Sequence, residues 1–388
     1  MLKGARSIGG VPDWGFLLLV TLVVRVGSAL FMGVQPAIDT PRYLGPAQDW
    51  IDARFSFAWF LSNYRGRSPA YVGFLSLTLV TFPHALMVPI LVQAILSTGV
   101  PVLLYIIVRR AGGSRCAAWM AGGLGVASYE LTRWNLYILT DSLFITLSAL
   151  LMTATIWSLR SGRASWGWVV GLTAVLALFV RPAGWALVIA VLLAVVLWRP
   201  FRRVTALALL SAVVVYLSYL FLTPVPVRLP PLRPCYYLTS GRVLWNEDSY
   251  RIAPIAELEG RTNLTLGECV RRALTEFPGR SAEIALRKAA LYWAPVYGHY
   301  SVRHRVSNLL LLGGPMLLAL LALSRRPSEL RVNTLTLVPL LWGISFTVLH
   351  AATMVERDHR ALAPVLPAVY LLAGQGVERL WRSSRSPH

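Results

Sequence analysis

Long apolar runs alternate along this chain with short polar segments that are rich in arginine. A bilayer core about 30 Å thick needs roughly 20 apolar residues to cross it as a helix. Shorter runs can use flanking residues or local bilayer thinning. The pattern predicts ten spans, at residues 15–35, 87–108, 115–129, 142–159, 166–180, 183–198, 203–223, 307–323, 333–350 and 361–377.

One further apolar run, PAYVGFLSLTLVTF at 69–82, decides the sidedness of everything after it. If it does not cross and the N-terminus is inside, sixteen Lys and Arg residues fall on short inner segments. If it crosses, the basic loops from Arg109 onward move outside, against the positive-inside rule. The sequence therefore predicts a helix lying at the outer face, both ends in the cytoplasm, and an integral multi-pass protein of the cytoplasmic (inner) membrane.

Two outer segments are long, and they divide the chain into three parts. Residues 1–223 form a transmembrane module with a first outer loop at 36–86, residues 224–306 form a small extracytoplasmic domain, and 307–388 hold the C-terminal spans. Within the middle part, helical spacing is broken at Pro278-Gly279. Cys235 and Cys269 both lie there, in a compartment that permits disulfides. A disulfide and two unpaired thiols both remain open. The first apolar run is interpreted as a retained helix, since it is too long for a typical signal peptide.

Composition agrees with a membrane protein. Of 388 residues, 56% are hydrophobic and 14% are charged, whereas soluble domains carry about 25% charged residues. The net charge of +20 alone would suggest nucleic acid, but the arginines punctuate the apolar runs. The three cysteines form no CxxC metal framework. We predict no metal site, no cofactor and no nucleic-acid partner, and dependence on a divalent metal stays open because nothing in the sequence indicates it.

Two acidic residues stand at the outer ends of predicted spans. Asp39 follows the first span, where neighbouring helices can partly desolvate it, so it is a candidate general base. It is also well placed to cap the helix that starts at Pro41. Asp141 precedes the span at 142–159 and has the same two interpretations. If both acids serve catalysis, they should converge on one cleft.

Arginine is unexpectedly frequent on the outer side. Because arginine binds phosphate through two parallel hydrogen bonds, this set indicates an anion site. The alternative for each arginine is a pairing with a nearby acid or a lipid headgroup. The cations are Arg42, Arg54, Arg65 and Arg67 in the first outer loop, Arg181 after the span at 166–180, and Arg357 and Arg360 in VERDHRALAP. Tyr43, Tyr71 and His359 are further candidate substrate contacts.

An ordered set of short motifs over roughly residues 10–200 resembles the GT-C membrane glycosyltransferases. Asp39-Thr-Pro-Arg42-Tyr43 looks like their D-x-x-R-Y stretch, and the run YRGRSPAY at 64–71 is similar to a basic-x-P-x-Y segment. LTDSLF at 139–144 is similar to the second acidic motif, and FVRP at 179–182 resembles a frequent Arg-Pro pair. The nearest groups are the lipid A aminoarabinose transferases and, more widely, the protein O-mannosyltransferases. The chain is shorter than the former, and 224–306 matches nothing in them.

The resemblance implies an all-α polytopic bundle of about ten helices with outer-face juxtamembrane helices. It implies transfer of a monosaccharide from a polyprenyl-phosphate donor to a lipid, glycan or protein hydroxyl on the extracytoplasmic face, with inversion. Asp39 would be the base, with Asp141 as the second catalytic acid. The donor phosphate would contact Arg42, Arg65, Arg67, Arg181 and Arg360.

Two other functions stay open at this point. A polymerase or ligase that uses a diphosphate-linked glycan would also need outer arginines. A lipid or sugar transporter is the third hypothesis, although such proteins often carry internal repeats and midplane broken helices, and this sequence shows no repeat.

Overall fold

The computed structural model describes residues 7–8, 11–64, 66, 68–83, 85–198, 203–223, 241–244, 248–255, 257–258, 266–324, 333–353 and 355–383. Over these residues the chain is almost wholly helical. The only named strands in this part are β1 (Ser7–Ile8) and β2 (Val11–Pro12), which pair antiparallel. The all-α class predicted from the apolar runs is therefore confirmed.

The helices differ widely in length. Short 3-10 turns lie at Trp134–Leu136, Asp248–Tyr250, Arg357–His359 and Ala363–Val365, and a π-helical turn at Leu309–Gly313 joins α15 to α16. In chain order the α-helices are α1 (Asp13–Met32), α2 (Pro41–Asp52), α3 (Phe57–Asn63), α4 (Pro69–Thr81), α5 (Met87–Ser97), α6 (Gly99–Arg110), α7 (Arg115–Ala127), α8 (Tyr129–Arg133), α9 (Asp141–Ser161), α10 (Ala164–Val180), α11 (Gly184–Leu197), α12 (Arg203–Leu222), α13 (Leu266–Glu276), α14 (Pro278–Trp293), α15 (Val302–Asn308), α16 (Gly314–Leu323), α17 (Thr334–Ala352) and α18 (Leu366–Ser383).

In the described part of the chain, six helical stretches are long and apolar enough to cross a membrane. They are Asp13–Met32, Met87–Arg110, Asp141–Ser161, Arg203–Leu222, Val302–Leu323 and Thr334–Ala352. Each coincides with a predicted span, and the protein is a multi-pass membrane protein.

The other four predicted spans coincide with α7, α10, α11 and α18, which fall short of the length or apolarity of a span. The run at 69–82 forms α4, which has 13 residues. At 1.5 Å per residue that is about 20 Å, too short to cross about 30 Å of hydrocarbon unaided.

A buried arginine lies inside the first span and donates to two backbone carbonyls. Arg25 is 1% exposed, and its guanidinium donates to Ser97 O and to Gly125 O, the latter at 3.3 Å. Pro101 has no N–H, so the carbonyl four residues earlier, that of Ser97, has no helical partner. Gly125 O is one of the free carbonyls at the end of α7. Arg25 therefore joins α1 to two helices at places where the helical hydrogen bonding is interrupted.

Arg25→Met should lower the free energy of unfolding by about 2 kcal/mol, because it leaves two buried carbonyls without a donor. In a Pro101→Ala background the restored N–H can bond to Ser97 O, so the same change should cost about 1 kcal/mol less. Unfolding by dodecyl sulfate in mixed micelles measures both. Val23→Met, at an exposed position of the same helix, is the control. Equal costs in the two backgrounds would contradict this account.

Contacts between helix ends sort into two groups at opposite ends of the bundle. At one end, Asp13 accepts hydrogen bonds from Arg115 at 2.7 Å and from Tyr105 at 2.6 Å, and Glu378 accepts from Ser114 N at 2.7 Å. At the other end lie the residues between α1 and α2 and those around the start of α9. We call these the Asp13 end and the Asp39 end.

The polar segment between α12 and α15 packs at the Asp39 end. We call its described residues between 241 and 301 the cap segment. Its two helices meet at Phe277, and Pro278 is the first residue of α14, so the predicted break in the helical spacing is confirmed. Cys269 is disulfide-bonded, whereas Cys235 lies outside the described residues. A small core of its own holds the segment together, formed by Ile255, Leu258, Ala273 and Ile284.

Candidate functional site

The turn after α1 lies alongside the segment that leads into α9. Gly33 ends α1 with φ of +69°, a conformation that a residue without Cβ adopts at low cost. Gln35 N then donates to Leu136 O at 2.9 Å, and Thr40 Oγ1 lies 3.4 Å from Ile138 O. This pairing brings Asp39 beside Asp141, although about 100 residues separate them.

Asp141 is the buried centre of the site. Its side chain is 1% exposed and pairs with two guanidinium groups. One belongs to Arg181, and the other to Arg360, whose Nη2 lies 2.9 Å from Asp141 Oδ2. A buried carboxylate is tolerated only when it is paired and hydrogen-bonded. Asp141 is thus held ionised by partners from two distant segments.

The local backbone conformation directs both arginine side chains toward Asp141. Arg181 is extended, at φ −154° and ψ 136°, as expected for a residue that precedes proline. Arg360 follows Asp358 and His359, which both have φ near +60°. Two consecutive left-handed residues reverse the chain there, and Arg360 points back to Asp141.

Asp39 forms the solvent-facing side of the same cluster. Its side chain is 30% exposed, Arg42 Nη1 lies 2.7 Å from its Oδ1, and Arg360 Nη1 lies 3.6 Å from its Oδ2. Arg360 therefore contacts both Asp39 and Asp141. Asp39 keeps access to solvent, which a proton acceptor requires, and Asp141 does not.

Glu356 is a third carboxylate of the cluster that sequence reasoning missed. It lies 3.2 Å from Arg181 Nη2 and 3.5 Å from Arg360 Nε. Its position four residues before Arg360, in VERDHR, is the one signal that was present in the sequence. The cluster thus combines three carboxylates with the three guanidinium groups of Arg42, Arg181 and Arg360.

Neither Asp39 nor Asp141 is the N-cap residue of the helix that follows it. Thr40 is the N-cap residue of α2, and no side chain caps that helix. Thr140 is the N-cap residue of α9, again without a side-chain cap, and Asp141 is its first residue. Both carboxylates are engaged by arginines instead.

The remaining predicted site residues are placed differently. Tyr43 packs edge-on against Tyr71 with ring centroids 5.1 Å apart, and Tyr71 OH donates to Gln93 at 3.0 Å. Tyr71 is buried and Tyr43 is half-buried, and both lie close enough to Asp141 to feel its charge. Arg65 and Arg67 lie outside the described residues. The ring of His359 is buried and contacts Ala294 O and Tyr300.

Electrostatics keep the two buried arginines charged. Burial lowers the pKa of Arg360, but the Asp141 and Glu356 carboxylates more than offset this and raise it above its ordinary value. Burial also lowers the pKa of Arg181, and the same two carboxylates again raise it above its ordinary value. Burial, with help from Asp141, raises the pKa of the Tyr43 hydroxyl, so that group stays protonated. The cluster therefore offers permanent cations beside a carboxylate that reaches solvent.

No group of three or more His, Cys, Asp or Glu side chains in the described residues is arranged to hold a metal ion. A metal-free reaction stays a prediction. No protein-family model matches the chain, and no curated protein matches it either.

Arg360→Gln should lower the free energy of unfolding by about 3 kcal/mol, because it leaves the buried Asp141 carboxylate with Arg181 alone. Adding Asp141→Asn should recover part of that loss. Arg42→Gln, which breaks an exposed pair, should cost less than about 1 kcal/mol. Thermal unfolding in detergent measures all three. An Arg360→Gln protein as stable as the Arg42→Gln protein would show that the buried pairing is not needed.

Proposed function

We propose that this chain is a membrane glycosyltransferase of the GT-C type. It transfers a monosaccharide from a polyprenyl-phosphate donor to an acceptor hydroxyl, with inversion at the anomeric carbon. The observation that carries the proposal is the junction at Arg360, which contacts both Asp39 and Asp141 at one end of an apolar helical bundle. These are the two acids whose motifs resemble that family.

Asp39 acts as the general base in this proposal. Its carboxylate takes the proton of the acceptor hydroxyl while that oxygen attacks the anomeric carbon. The bond from the anomeric carbon to the phosphate oxygen breaks, and the lipid phosphate leaves with the electron pair. Asp39 then returns its proton to solvent. A single displacement of this kind inverts the anomeric configuration.

The arginines stabilise the leaving phosphate. Preorganised cations beside developing negative charge are often the largest single term in catalysis. Arg360 and Arg42 already lie against Asp39, so a phosphate bound there would be close to the base. Arg65 and Arg67 belong to this proposal on the family motif alone. Asp141 fixes Arg360 and Arg181 in place.

An apolar cavity supports a lipid-linked donor. It has a volume of about 500 Å³ and lies between α16, α17 and α18, with Trp293 of the cap segment among its lining residues. Val365, five residues after Arg360, also lines it. A long isoprenoid chain can lie in such a cavity while its phosphate stays near the arginines.

The finer topology belongs to the same proposal. We propose that α7, α10, α11 and α18 complete ten spans in the cytoplasmic membrane, with the cap segment and the Asp39 end on the extracytoplasmic face. The disulfide bond of Cys269 supports this side, because disulfides persist in oxidising compartments.

Asp39→Asn should lower kcat for sugar transfer by at least about 100-fold, because the amide cannot accept the proton. The assay uses purified protein in detergent and synthetic polyprenyl-phosphate monosaccharides, with released polyprenyl phosphate measured by mass spectrometry. Asp49→Asn, at an exposed position of α2, is the matched control and should keep full activity.

Three outcomes would contradict the proposal. Full activity of the Asp39→Asn protein would show that Asp39 is not the general base. Transfer of oligosaccharide blocks from diphosphate-linked donors would indicate a polymerase or ligase. Recovery of an intact donor, together with its movement between the leaflets of proteoliposomes, would indicate a transporter.

A further inference from the structure

The turn that carries Arg360, residues 356–360, is flanked on both sides by hydrogen bonds to the cap segment. Val355 N donates to Val243 O at 3.3 Å, and Lys288 Nζ donates to Thr353 O at 2.5 Å. Tyr292 OH also lies 3.4 Å from Ala361 O. The backbone on both sides of Arg360 is therefore fixed to the cap segment.

The buried side chain of His359 also contacts the cap segment. Its Nε2 lies 3.0 Å from Ala294 O. A carbonyl only accepts, so Nε2 carries the hydrogen. In the neutral ring, Nδ1 is then an acceptor, and Tyr300 OH lies 3.4 Å from it. Tyr297 stacks on the ring at 4.7 Å. This burial favours a role in holding the turn over the direct substrate contact expected from the sequence.

Glu130 faces the same nitrogen of His359. It is 2% exposed, and its Oε2 accepts from Trp134 Nε1 at 3.2 Å. Its Oε1 has no hydrogen-bond partner and lies 3.9 Å from His359 Nδ1. Two acceptor atoms that face each other in a buried place repel unless one of them carries a proton.

We propose that Glu130 and His359 form a pair that shares one proton and positions Arg360, and that loss of this proton releases the turn 356–360. Glu130 and His359 are positioning residues in this scheme, since neither touches Asp39 or Asp141 in the contacts described above. The effect on sugar transfer rests on the proposed function, whereas the effect on the turn does not.

The charges around Glu130 agree with a single shared proton. Burial raises the pKa of Glu130 from 4.5 to about 7, against the opposing effects of Arg133 and the Trp134 hydrogen bond. Burial lowers the pKa of His359 to about 4. Below a pH of about 7 the proton therefore resides on Glu130. The titratable and charged groups that interact with Glu130 are Tyr129 and Arg133 on its own helix, Asp358 and His359 on the turn, Tyr297 and Tyr300 from the cap segment, and Tyr370 on α18.

The direction of the pH effect follows from the raised pKa. Because the pKa of Glu130 is higher in the folded protein than its ordinary value of 4.5, its contribution to stability is complete below 4.5. That contribution is lost as the pH rises through about 7. Above this pH the Glu130 carboxylate faces the Nδ1 lone pair and the neighbouring Asp358 carboxylate.

Hydrogen–deuterium exchange of residues 355–362 tests the proposal. The purified wild-type protein in nanodiscs is compared with Glu130→Gln between about pH 5.5 and about pH 8.5, with correction for intrinsic exchange rates. Wild-type protection of this segment should fall by up to about tenfold per pH unit as the pH rises toward the folded-state pKa of about 7, and it should level off above that pH, where neither the closed nor the released form holds the proton. Glu130→Gln, which keeps a neutral donor, should stay protected throughout. Glu276→Gln, an exposed position of α13, should behave as wild type.

The same pH dependence in wild type and Glu130→Gln, or a flat wild-type profile, overturns the proposal. If Glu130→Gln does not fold, Tyr300→Phe decides instead. It removes the hydroxyl that competes for Nδ1, so the wild-type midpoint should move to higher pH, and an unchanged midpoint overturns the proposal. In the transfer assay, kcat should fall above pH 7 in wild type and not in Glu130→Gln. If no variant or wild-type protein transfers sugar, the proposed function is wrong, but the exchange experiment still tests whether Glu130 controls the turn.

Discussion

The site depends on one constraint, the burial of the Asp141 carboxylate. An ionised carboxylate that is 1% exposed needs close cationic partners, and the protein supplies them from segments far apart in sequence. Arg181 arrives because the residue before a proline is extended. Arg360 arrives because Asp358 and His359 adopt left-handed conformations. Losing either arginine would leave the buried Asp141 carboxylate with one cationic partner instead of two.

The same rule governs the charge inside the bundle, with a different solution. Arg25 has no carboxylate partner among the contacts described, and it uses carbonyls that a proline and a helix end leave free. Carbonyl partners accept hydrogen bonds from the two terminal nitrogens of the guanidinium without adding a second buried charge. The bundle interior is therefore stabilised by a cation that has no catalytic neighbour, whereas the Asp39 end collects charges of both signs. This contrast is why the Asp39 end, and not Arg25, is the candidate site.

Much of the fold could be predicted from the sequence, because the apolar runs set where helices begin and end. Asp39, Asp141, Arg181 and Arg360 could be chosen for a similar reason, since each stands beside the end of such a run. It was harder to predict whether the short helices α10 and α11 span the membrane, because length alone does not decide whether a helix of 14–17 residues crosses the bilayer.

Glu356 and Glu130 escaped sequence reasoning for a different physical cause. Their roles depend on contacts with distant segments, Glu356 with Arg181 and Glu130 with His359, and no local spacing encodes such contacts. The tie between the cap segment and the Arg360 turn is equally non-local. It depends on backbone carbonyls, which every residue has, so the sequence carries no mark of it. Long-range pairing of this kind needs the folded arrangement.

The balance of charge in the cluster bears on the order of events in the proposed reaction. In the described cluster Asp39, Asp141 and Glu356 are matched by Arg42, Arg181 and Arg360, so a phosphate that binds one of these arginines competes with the carboxylate paired to it. Arg42 is 76% exposed, and an exposed pair contributes only about 0–1 kcal/mol, so its exchange costs least. When Arg42 turns from Asp39 to the donor phosphate, the Asp39 carboxylate loses its closest cation. It then becomes a stronger base at the moment when the donor is in place, which couples donor binding to activation of the acceptor.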